Sequence, residues 1–272
     1  WRNIVGNPLF SVINIVGLAI GLACCIIITM FVRYETSFDQ HWDNADRIYR
    51  VTRDFYSNNL QLAAVAPPIA PLMKEDFPEI EDITRLLSVG RATLSIDEDI
   101  FTDEGVAIAD ANVFEFFNIE FISGDPATAL ARPTDMVLTQ RASERYFGND
   151  DPVGQTLKFM GQMEVTVTAV IADLPDNTHM NFELLGSLAA VPLMMGPEEM
   201  ESWGSNNYYT YLRLPPGYNY TDLESRLPDF LDKHRGEGDS EGNALNLQKL
   251  TDIHLDSDRD GEWQANGSRS IV

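Results

Sequence analysis

The most constraining feature of the sequence is an uninterrupted apolar stretch near its start. Leu9–Val32 contains no Asp, Glu, Lys or Arg. Its clearly polar side chains are Ser11, Asn14 and Thr29. A helix rises about 1.5 Å per residue, so the stretch would be about 36 Å long, and a bilayer core is about 30 Å thick. The sequence therefore predicts a transmembrane helix over residues 9–33, with residues 1–8 leading into the membrane.

The length and the flank of this stretch argue against a cleaved signal peptide. The apolar core of a signal peptide is about 7–15 residues long and precedes a cleavage site of small residues. Here the stretch is longer, and it runs into the polar sequence RYETSFDQHW. The chain also begins at Trp1 rather than at methionine, so we expect it to be a fragment of a longer protein.

Two glycines within the predicted helix indicate how it packs. Gly17 and Gly21 are four positions apart, a spacing that places both on one helix face and permits close approach of a second helix. Asn14 lies three positions earlier on roughly the same face, and a buried amide in lipid needs a hydrogen-bond partner. We expect these three residues to pack against other membrane helices; a lone anchor with incidental glycines is the alternative.

The rest of the chain is strongly acidic. Of its 19 Lys and Arg, Arg2 and Arg33 belong to the apolar region, whereas all 42 Asp and Glu follow that region. Such a surface repels nucleic acid, so we exclude DNA or RNA binding. Both cysteines, Cys24 and Cys25, lie inside the apolar stretch. The remainder therefore has no disulfide framework, cysteine nucleophile or cysteine-based zinc site.

Hydrophobic alternation and turn residues predict an α+β fold. Residues 46–89 indicate strand, helix and strand, because the prolines Pro67 and Pro68 suit a first helical turn and Pro78 cannot continue a helix. Residues 206–255 predict a second unit of the same order. Its helix would span YTDLESRLPDFLDKH, and its last strand would span ALNLQKLTDIHL.

The middle of the chain has a different pattern of predicted strands and helices from these two units. Residues 90–205 contain several short predicted strands and short helices. We therefore expect two β-α-β units, residues 34–89 and 206–272, with a strand-rich lobe inserted between them.

Five sequence motifs occur in an order typical of one family of membrane proteins. They are NPLFSVINIVGLAIGLA, YETSFDQHWDNADRIYRV, FTDEGVAIADANVFEFFNIEFISGDPATAL, VLTQRASERYFGNDDPVGQTLKF and VTAVIADLPDNTHMNFELLGSL. Over nearly its whole length the chain resembles the permease subunits of MacB/FtsX-type ABC transporters, in a version similar to those of Bacteroidetes-like bacteria. The resemblance implies the first transmembrane helix and a MacB-like periplasmic core domain. The two β-α-β units would form its porter-like subdomain, and the inserted lobe would be sabre-like.

The resemblance also implies a function, partners and a location. A separate cytoplasmic ATPase would use ATP, and the permease would relay the motion to its periplasmic domain (mechanotransmission) for export or for handling periplasmic substrates. Further implied partners are a second permease copy or half, a periplasmic adaptor or substrate protein, and membrane lipid. The chain would lie in the bacterial inner membrane with residues after about 34 in the periplasm. Arg2 and Arg33 alone leave that orientation open.

Nothing in the sequence indicates catalysis or a resident cofactor. It contains no G-x-x-x-x-G-K-[ST] nucleotide-binding loop. Its histidines stand outside known catalytic spacings. They are His41, His179, His234 and His254. We expect His179 to be a structural loop residue, the chain not to be an enzyme, and ATP to be bound only by the partner ATPase.

One acidic loop is a weak candidate for a metal site. Asp256, Asp258 and Asp260 occupy positions 1, 3 and 5 of a calcium-binding loop, with Gly261 at position 6. Position 12, which needs a bidentate glutamate, is Gly267. We favour a polar loop over a calcium site.

Two other functions fit the sequence taken without the resemblance. A single-span, membrane-anchored extracytoplasmic sensor or binding module would end, or enter a cytoplasmic domain, after residue 272. A permease would instead continue into a second span there. A tethered hydrolase would need a catalytic constellation of which the sequence gives no sign.

Overall fold

The computed structural model describes residues 8–96 and 99–270. Helix α1 spans Pro8–Glu35 and contains the apolar stretch. Among the described residues it is the one helix long and apolar enough to cross a membrane, and its spanning part is not buried against the rest of the chain. The predicted apolar helix is therefore present. The segment predicted to lead into it, residues 1–8, lies outside the described residues except for Pro8.

The remaining described residues form strands and helices in mixed order. The strands are β1 (Ile48–Phe55), β2 (Leu60–Leu62), β3 (Asp82–Ile96), β4 (Asp99–Ala109), β5 (Phe121–Gly124), β6 (Asp135–Thr139), β7 (Thr156–Phe159), β8 (Met163–Ile171), β9 (Leu184–Ser187), β10 (Tyr208–Arg213) and β11 (Asn243–Lys249). The helices are α2 (Ile69–Asp76), α3 (Val113–Phe116), α4 (Gln140–Phe147), α5 (Val191–Met195), α6 (Tyr220–Glu224), α7 (Leu227–Arg235), α8 (Asp239–Gly242) and α9 (Ile253–Asp256). Single 3-10 turns lie at Ala45–Arg47, Leu188–Ala190, Glu199–Glu201 and Leu250–Asp252. This composition confirms the predicted α+β class.

Four strands from the two ends of the domain interleave in one antiparallel sheet. Their order is β11-β1-β10-β3, so β10 lies between β1 and β3, and β1 lies between β10 and β11. With α2 following β1 and α7 following β10, this is the split β-α-β arrangement of ferredoxin-like folds. The two predicted β-α-β units therefore share a single sheet.

Helices α2 and α7 cover one face of these four strands. Met73 of α2 and Phe230 of α7 are buried in a cluster with Leu212 of β10. Burying an apolar side chain of this size contributes about 1.5–3 kcal/mol. Tyr211, the neighbour of Leu212, points to the opposite face, because successive side chains alternate along a strand. There it meets Phe117 in a second apolar cluster.

Strand β3 joins this sheet to the rest of the domain. Its first part pairs with β10 and its second part with β4, and the register shifts at Gly90. From β4 the sheet continues through β9, β6 and β8 to β5. The residues predicted as several short strands around 90–109 do lie in strands, but in two long ones, β3 and β4, which pair antiparallel. Gly90 adopts a positive φ of 71°, which bulges β3 without ending it.

Two elements near the end of the chain also differ from prediction. The single helix predicted over 220–234 is divided into α6 and α7, because Pro228 occupies the first turn of α7 and cannot continue a preceding helix. The last strand was expected to reach Leu255 but ends at Lys249. Leu250 and Ile253 follow it at helical spacing, and both are fully buried.

Candidate functional site at the end of helix α1

The chain leaves α1 through a short turn that is buried in the domain. Within residues 36–42, Phe38, Asp39 and Trp42 are at most 9% exposed. Asp39 has a positive φ of 58°, a left-handed conformation that aspartate tolerates better than most residues. The turn therefore carries a carboxylate from the end of an apolar helix into the interior of the domain.

The Asp39 carboxylate is surrounded by hydrogen-bond donors. Its Oδ1 accepts from Thr178 Oγ1 at 2.8 Å and from Trp42 Nε1 at 3.1 Å. The backbone N–H of His179 approaches both oxygens at 3.2 Å, and His179 Nδ1 lies 2.9 Å from Oδ2. Burial alone would raise the pKa of Asp39. Attraction to His179 and the hydrogen bonds from His179, Thr178 and Trp42 outweigh that effect, so the pKa is lowered.

His179 extends this contact into the central sheet. Its Nε2 is 2.7 Å from the hydroxyl of Tyr211 on β10, and both side chains are buried. Burial raises the pKa of Tyr211 well above its ordinary value, so the phenol stays protonated at the contact with Nε2. Three side chains in a row thus connect the end of α1 to the middle of the sheet.

A second set of contacts holds the last turn of α1. Glu35 Oε2 lies 2.9 Å from Nε2 of His254 on α9. The Phe38 ring stacks flat on the same imidazole, with ring centroids 3.4 Å apart. Tyr34 packs edge-on against Phe38, and its hydroxyl is 3.4 Å from the carbonyl oxygen of Asp176. That carbonyl belongs to the β8–β9 loop, which also supplies the donors to Asp39. We refer to the contacts of Glu35 and Asp39 with the domain as the joint.

The segment after α9, residues 257–270 (the tail), is clamped across the sheet. Glu262 forms two hydrogen bonds of 2.6 Å with the guanidinium of Arg50, a fully buried residue of β1. The hydroxyl of Tyr209 donates to the carbonyl oxygen of Gly261 at 2.6 Å. Removing one partner of a buried ion pair typically costs about 3–5 kcal/mol, so detachment of the tail is strongly disfavoured.

The tail passes over the end of α1 at Gly267. A Cβ atom at this position would lie 2.6 Å from Glu35 Oε2 and 2.9 Å from His254 Nε2. Only glycine leaves the contact between Glu35 and His254 undisturbed. The point where the chain leaves α1 is therefore in contact with the tail, and both are fixed to the same sheet.

A model of a known protein family matches residues 11–230, a range that includes most of α1, the Asp39 turn and the β8–β9 loop. It describes the MacB-like periplasmic core domain. The chain belongs to this family. The resemblance found in the sequence motifs is thereby confirmed: this is a MacB-like periplasmic domain of the ABC transporter permease family, with an apolar helix that fits a membrane-anchored protein. No curated protein matches the chain.

Three crystal structures share the fold of this MacB-like domain. A domain of a protein described as a permease, from Porphyromonas gingivalis, is 22% identical with a TM-score of 0.67, and the match covers 76% of this chain and 92% of that one. The periplasmic region of MacB from Actinobacillus actinomycetemcomitans is 15% identical with a TM-score of 0.56, covering 77% and 91%. The extracellular domain of the noncanonic ABC-type transporter YknZ from Gram-positive bacteria is 13% identical with a TM-score of 0.51, covering 73% and 99%.

The residues predicted to pack against other membrane helices lie on the open surface of α1. Asn14, Gly17 and Gly21 are exposed. A Cβ atom placed at either glycine would have no neighbour within 4 Å among the described atoms. This distance leaves out the adjoining residues and the nearby backbone of the same helix. The face is available to another helix, and its packing in the membrane stays a prediction.

The three aspartates of the candidate calcium loop do not form a ligand cluster. The Asp256 carboxylate pairs with Arg269, Asp258 is exposed, and Asp260 lines an apolar cavity. Among residues 8–96 and 99–270, no group of three or more His, Cys, Asp or Glu side chains is placed to hold a metal ion. Calcium binding therefore gains no support from the structure.

No local sequence pattern reveals the contacts of the joint. His179 does lie in a loop, as expected, but its contact with the turn after α1 is invisible in the sequence because Asp39 is 140 positions away. His254 was placed in a strand and is instead in α9, facing Glu35. The available signal was that Asp39 and His179 both fall within motifs shared with the MacB-like family.

Proposed function

We propose that this MacB-like chain is part of an ABC transporter permease and relays ATP-driven motion of the membrane helices to the periplasmic domain. The observation that carries the proposal is the burial of Asp39 among the donors of the β8–β9 loop. A rotation of α1 relative to the domain would strip this carboxylate of its donors. Leaving these buried donors without their acceptor would cost about 1–3 kcal/mol each, so the helix and the domain move together.

The proposal requires partners beyond this chain. A separate cytoplasmic ATPase would bind and hydrolyse ATP, in keeping with the lack of a nucleotide-binding loop in the sequence. A second permease copy or half would pack on the face formed by Asn14, Gly17 and Gly21. A periplasmic adaptor or substrate protein would meet the domain. The chain would then lie in the bacterial inner membrane, with lipid around α1 and the residues after about 34 in the periplasm.

The test uses the full-length permease bound to its ATPase in lipid nanodiscs. A fluorophore pair on the periplasmic domains of two permease copies reports their separation before and after ATP is added. We expect an ATP-dependent change that Asp39→Ala abolishes while ATP hydrolysis continues. Gln40→Ala, at the exposed neighbouring position, is the control and should behave as the unmodified protein does. An ATP-dependent change in domain separation as large in Asp39→Ala as in the unmodified protein would overturn the proposal. A permease that binds no ATPase would favour the single-span sensor.

A further inference from the structure

A cavity of about 580 Å³ opens beside the start of β10, between β2, β3, α5 and the tail. This volume falls within the range of small-ligand sites. Its apolar lining includes Leu87, Val89, Ile108, Met160, Met194 and Met195. Met160 and Met195 are 51% and 53% exposed, so apolar surface continues from the cavity onto its mouth. The joint does not include this surface, whereas the Tyr209–Gly261 contact of the tail forms part of the cavity wall.

The chemistry of the lining favours variable apolar side chains over one rigid shape. Methionine is unbranched and polarizable, and it adapts its conformation to different partners. Methionine-rich surfaces are therefore typical of sites that accept more than one apolar sequence. Three methionines from two separate segments, Met160 and the pair Met194 and Met195, meet at this cavity.

One carboxylate at the mouth has no partner among the described residues. Asp260 lines the cavity and is exposed, and no described hydrogen bond or ion pair engages its side chain. The buried guanidinium of Arg53 donates a hydrogen bond to the side chain of Asn206, and Arg53 does not line the cavity. The mouth therefore favours a cation and disfavours fatty acids and phospholipids, whose head groups are negative.

A polar group at the mouth suits a peptide backbone. Asn207 lines the cavity with an exposed side chain, and its amide oxygen accepts no hydrogen bond from any described residue. A side-chain amide both donates and accepts, which matches a backbone amide. We propose that this cavity binds a short apolar peptide segment that carries positive charge. The peptide's apolar side chains enter among the methionines while a cationic side chain faces Asp260.

This inference goes beyond the relay of motion, and it is tested without ATP or the ATPase, so the two proposals fail independently. The full chain is placed in nanodiscs of zwitterionic phosphatidylcholine, and empty nanodiscs provide the baseline. The probe is a blocked octapeptide of alternating leucine and lysine, titrated by calorimetry in low salt with EDTA. Comparison peptides alternate leucine with glutamate, or serine with lysine. We expect the leucine–lysine peptide to bind roughly ten-fold more tightly than either comparison peptide.

Matched variants assign the binding to this cavity. Asp260→Asn should weaken the affinity roughly two- to five-fold, the usual effect of one exposed ion pair, whereas Glu237→Gln removes the same charge from an exposed loop and should have no effect. Met195→Gln should weaken binding without changing the thermal unfolding of the protein, because this side chain is half exposed. Equal binding of the serine–lysine peptide, or equal losses in Asp260→Asn and Glu237→Gln, would mean diffuse charge attraction and would overturn the proposal. Equal binding of the leucine–glutamate peptide, or competition by a fatty acid, would also overturn it.

Discussion

His179 Nδ1 lies 2.9 Å from Asp39 Oδ2, with both side chains almost wholly buried, although the residues are 140 positions apart in the chain. Asp39 follows the apolar helix by only four residues, whereas His179 lies between two strands of the sheet. This pair therefore ties a helix suited to a membrane to the interior of a MacB-like domain. Under the proposed relay, this is the contact through which a rotation of the helix would act on the domain.

Asp39→Ala should destabilise the domain strongly. The substitution leaves the buried donors of Thr178 and Trp42 without their acceptor, and each buried donor left without a partner costs about 1–3 kcal/mol. Urea unfolding followed by tryptophan fluorescence measures this free energy. Asp39→Asn keeps the shape of the side chain, so its free energy of unfolding should fall less than that of Asp39→Ala. The free energy of unfolding of Gln40→Ala should change little. A loss below about 1 kcal/mol in Asp39→Ala would show that the pair does not hold the joint.

Stability should fall in acid because of Asp39 and Glu262. Hydrogen bonds from Arg50 and attraction to it outweigh burial and lower the pKa of Glu262, as His179 does for Asp39. Both pKa values are lower in the folded chain than the ordinary values of 3.8 and 4.5. The ionised carboxylates therefore contribute fully to the stability of the folded state above about pH 4.5. This stabilisation is lost as the pH falls through their lowered folded-state pKa values. Free energies of unfolding measured between pH 2 and 6 should show this loss. In the double variant with Asp39→Asn and Glu262→Gln, the free energy of unfolding should depend less steeply on pH. An unchanged slope in the double variant would contradict the assignment.

Glu262→Met should cost more than the double substitution of Glu262→Met with Arg50→Met. The single change leaves a buried guanidinium without its carboxylate, at a cost of about 3–5 kcal/mol, whereas apolar replacement of a whole buried pair is often close to neutral. A double-mutant cycle on unfolding free energies measures the coupling. Additive losses would mean that the tail is not clamped through this pair.

Gly267→Ala should be coupled to Glu35. The added methyl group would meet the Glu35 carboxylate and the His254 ring and would displace one of them. We expect the free energy of unfolding to fall by about 1 kcal/mol, the usual net contribution of one hydrogen bond. In the Glu35→Ala background the same change should cost less, since the obstructing carboxylate is gone and the His254 ring is free to shift. An undiminished loss in that background would place the tail elsewhere than over the end of α1.

Gly17→Leu and Gly21→Leu should impair assembly of the full-length permease. Either leucine would keep a second helix from approaching the face that the glycines leave open. Ala19→Leu adds similar bulk on roughly the opposite side of the helix and serves as the control. Chemical cross-linking in membranes, read as the fraction of paired permease, checks the prediction. Normal assembly in both glycine variants would make α1 a simple anchor.

The sequence predicts those parts of the fold that depend on local pattern. The 24 residues of Leu9–Val32 can hardly be anything but a long apolar helix, and the prolines before Ile69 and at Pro78 bracket α2 correctly. Prediction failed where long-range pairing overrides local signals. Gly90 suggests a break in a strand, but β4 pairs with β3 on both sides of it and keeps the strand continuous.

The joint was beyond prediction for the same reason. Nothing near Glu35 indicates that His254 will face it, because the contact depends on the helical turn at α9 that replaces the expected strand. A buried carboxylate such as Asp39 also looks like a surface residue in a sequence with 42 acidic side chains. Only the structure shows that its position is internal.

The most direct test of the account measures whether α1 and the domain move as one body. Spin labels are attached at Arg33→Cys, at the end of α1, and at Glu115→Cys, an exposed position of α3, in full chain whose Cys24 and Cys25 are changed to serine. Pulsed electron paramagnetic resonance in nanodiscs then gives the distribution of distances between the labels. The account predicts one narrow distribution that broadens or splits in Asp39→Ala and is unchanged in Gln40→Ala. A broad distribution in the protein with an intact joint, or no change in Asp39→Ala, would contradict it.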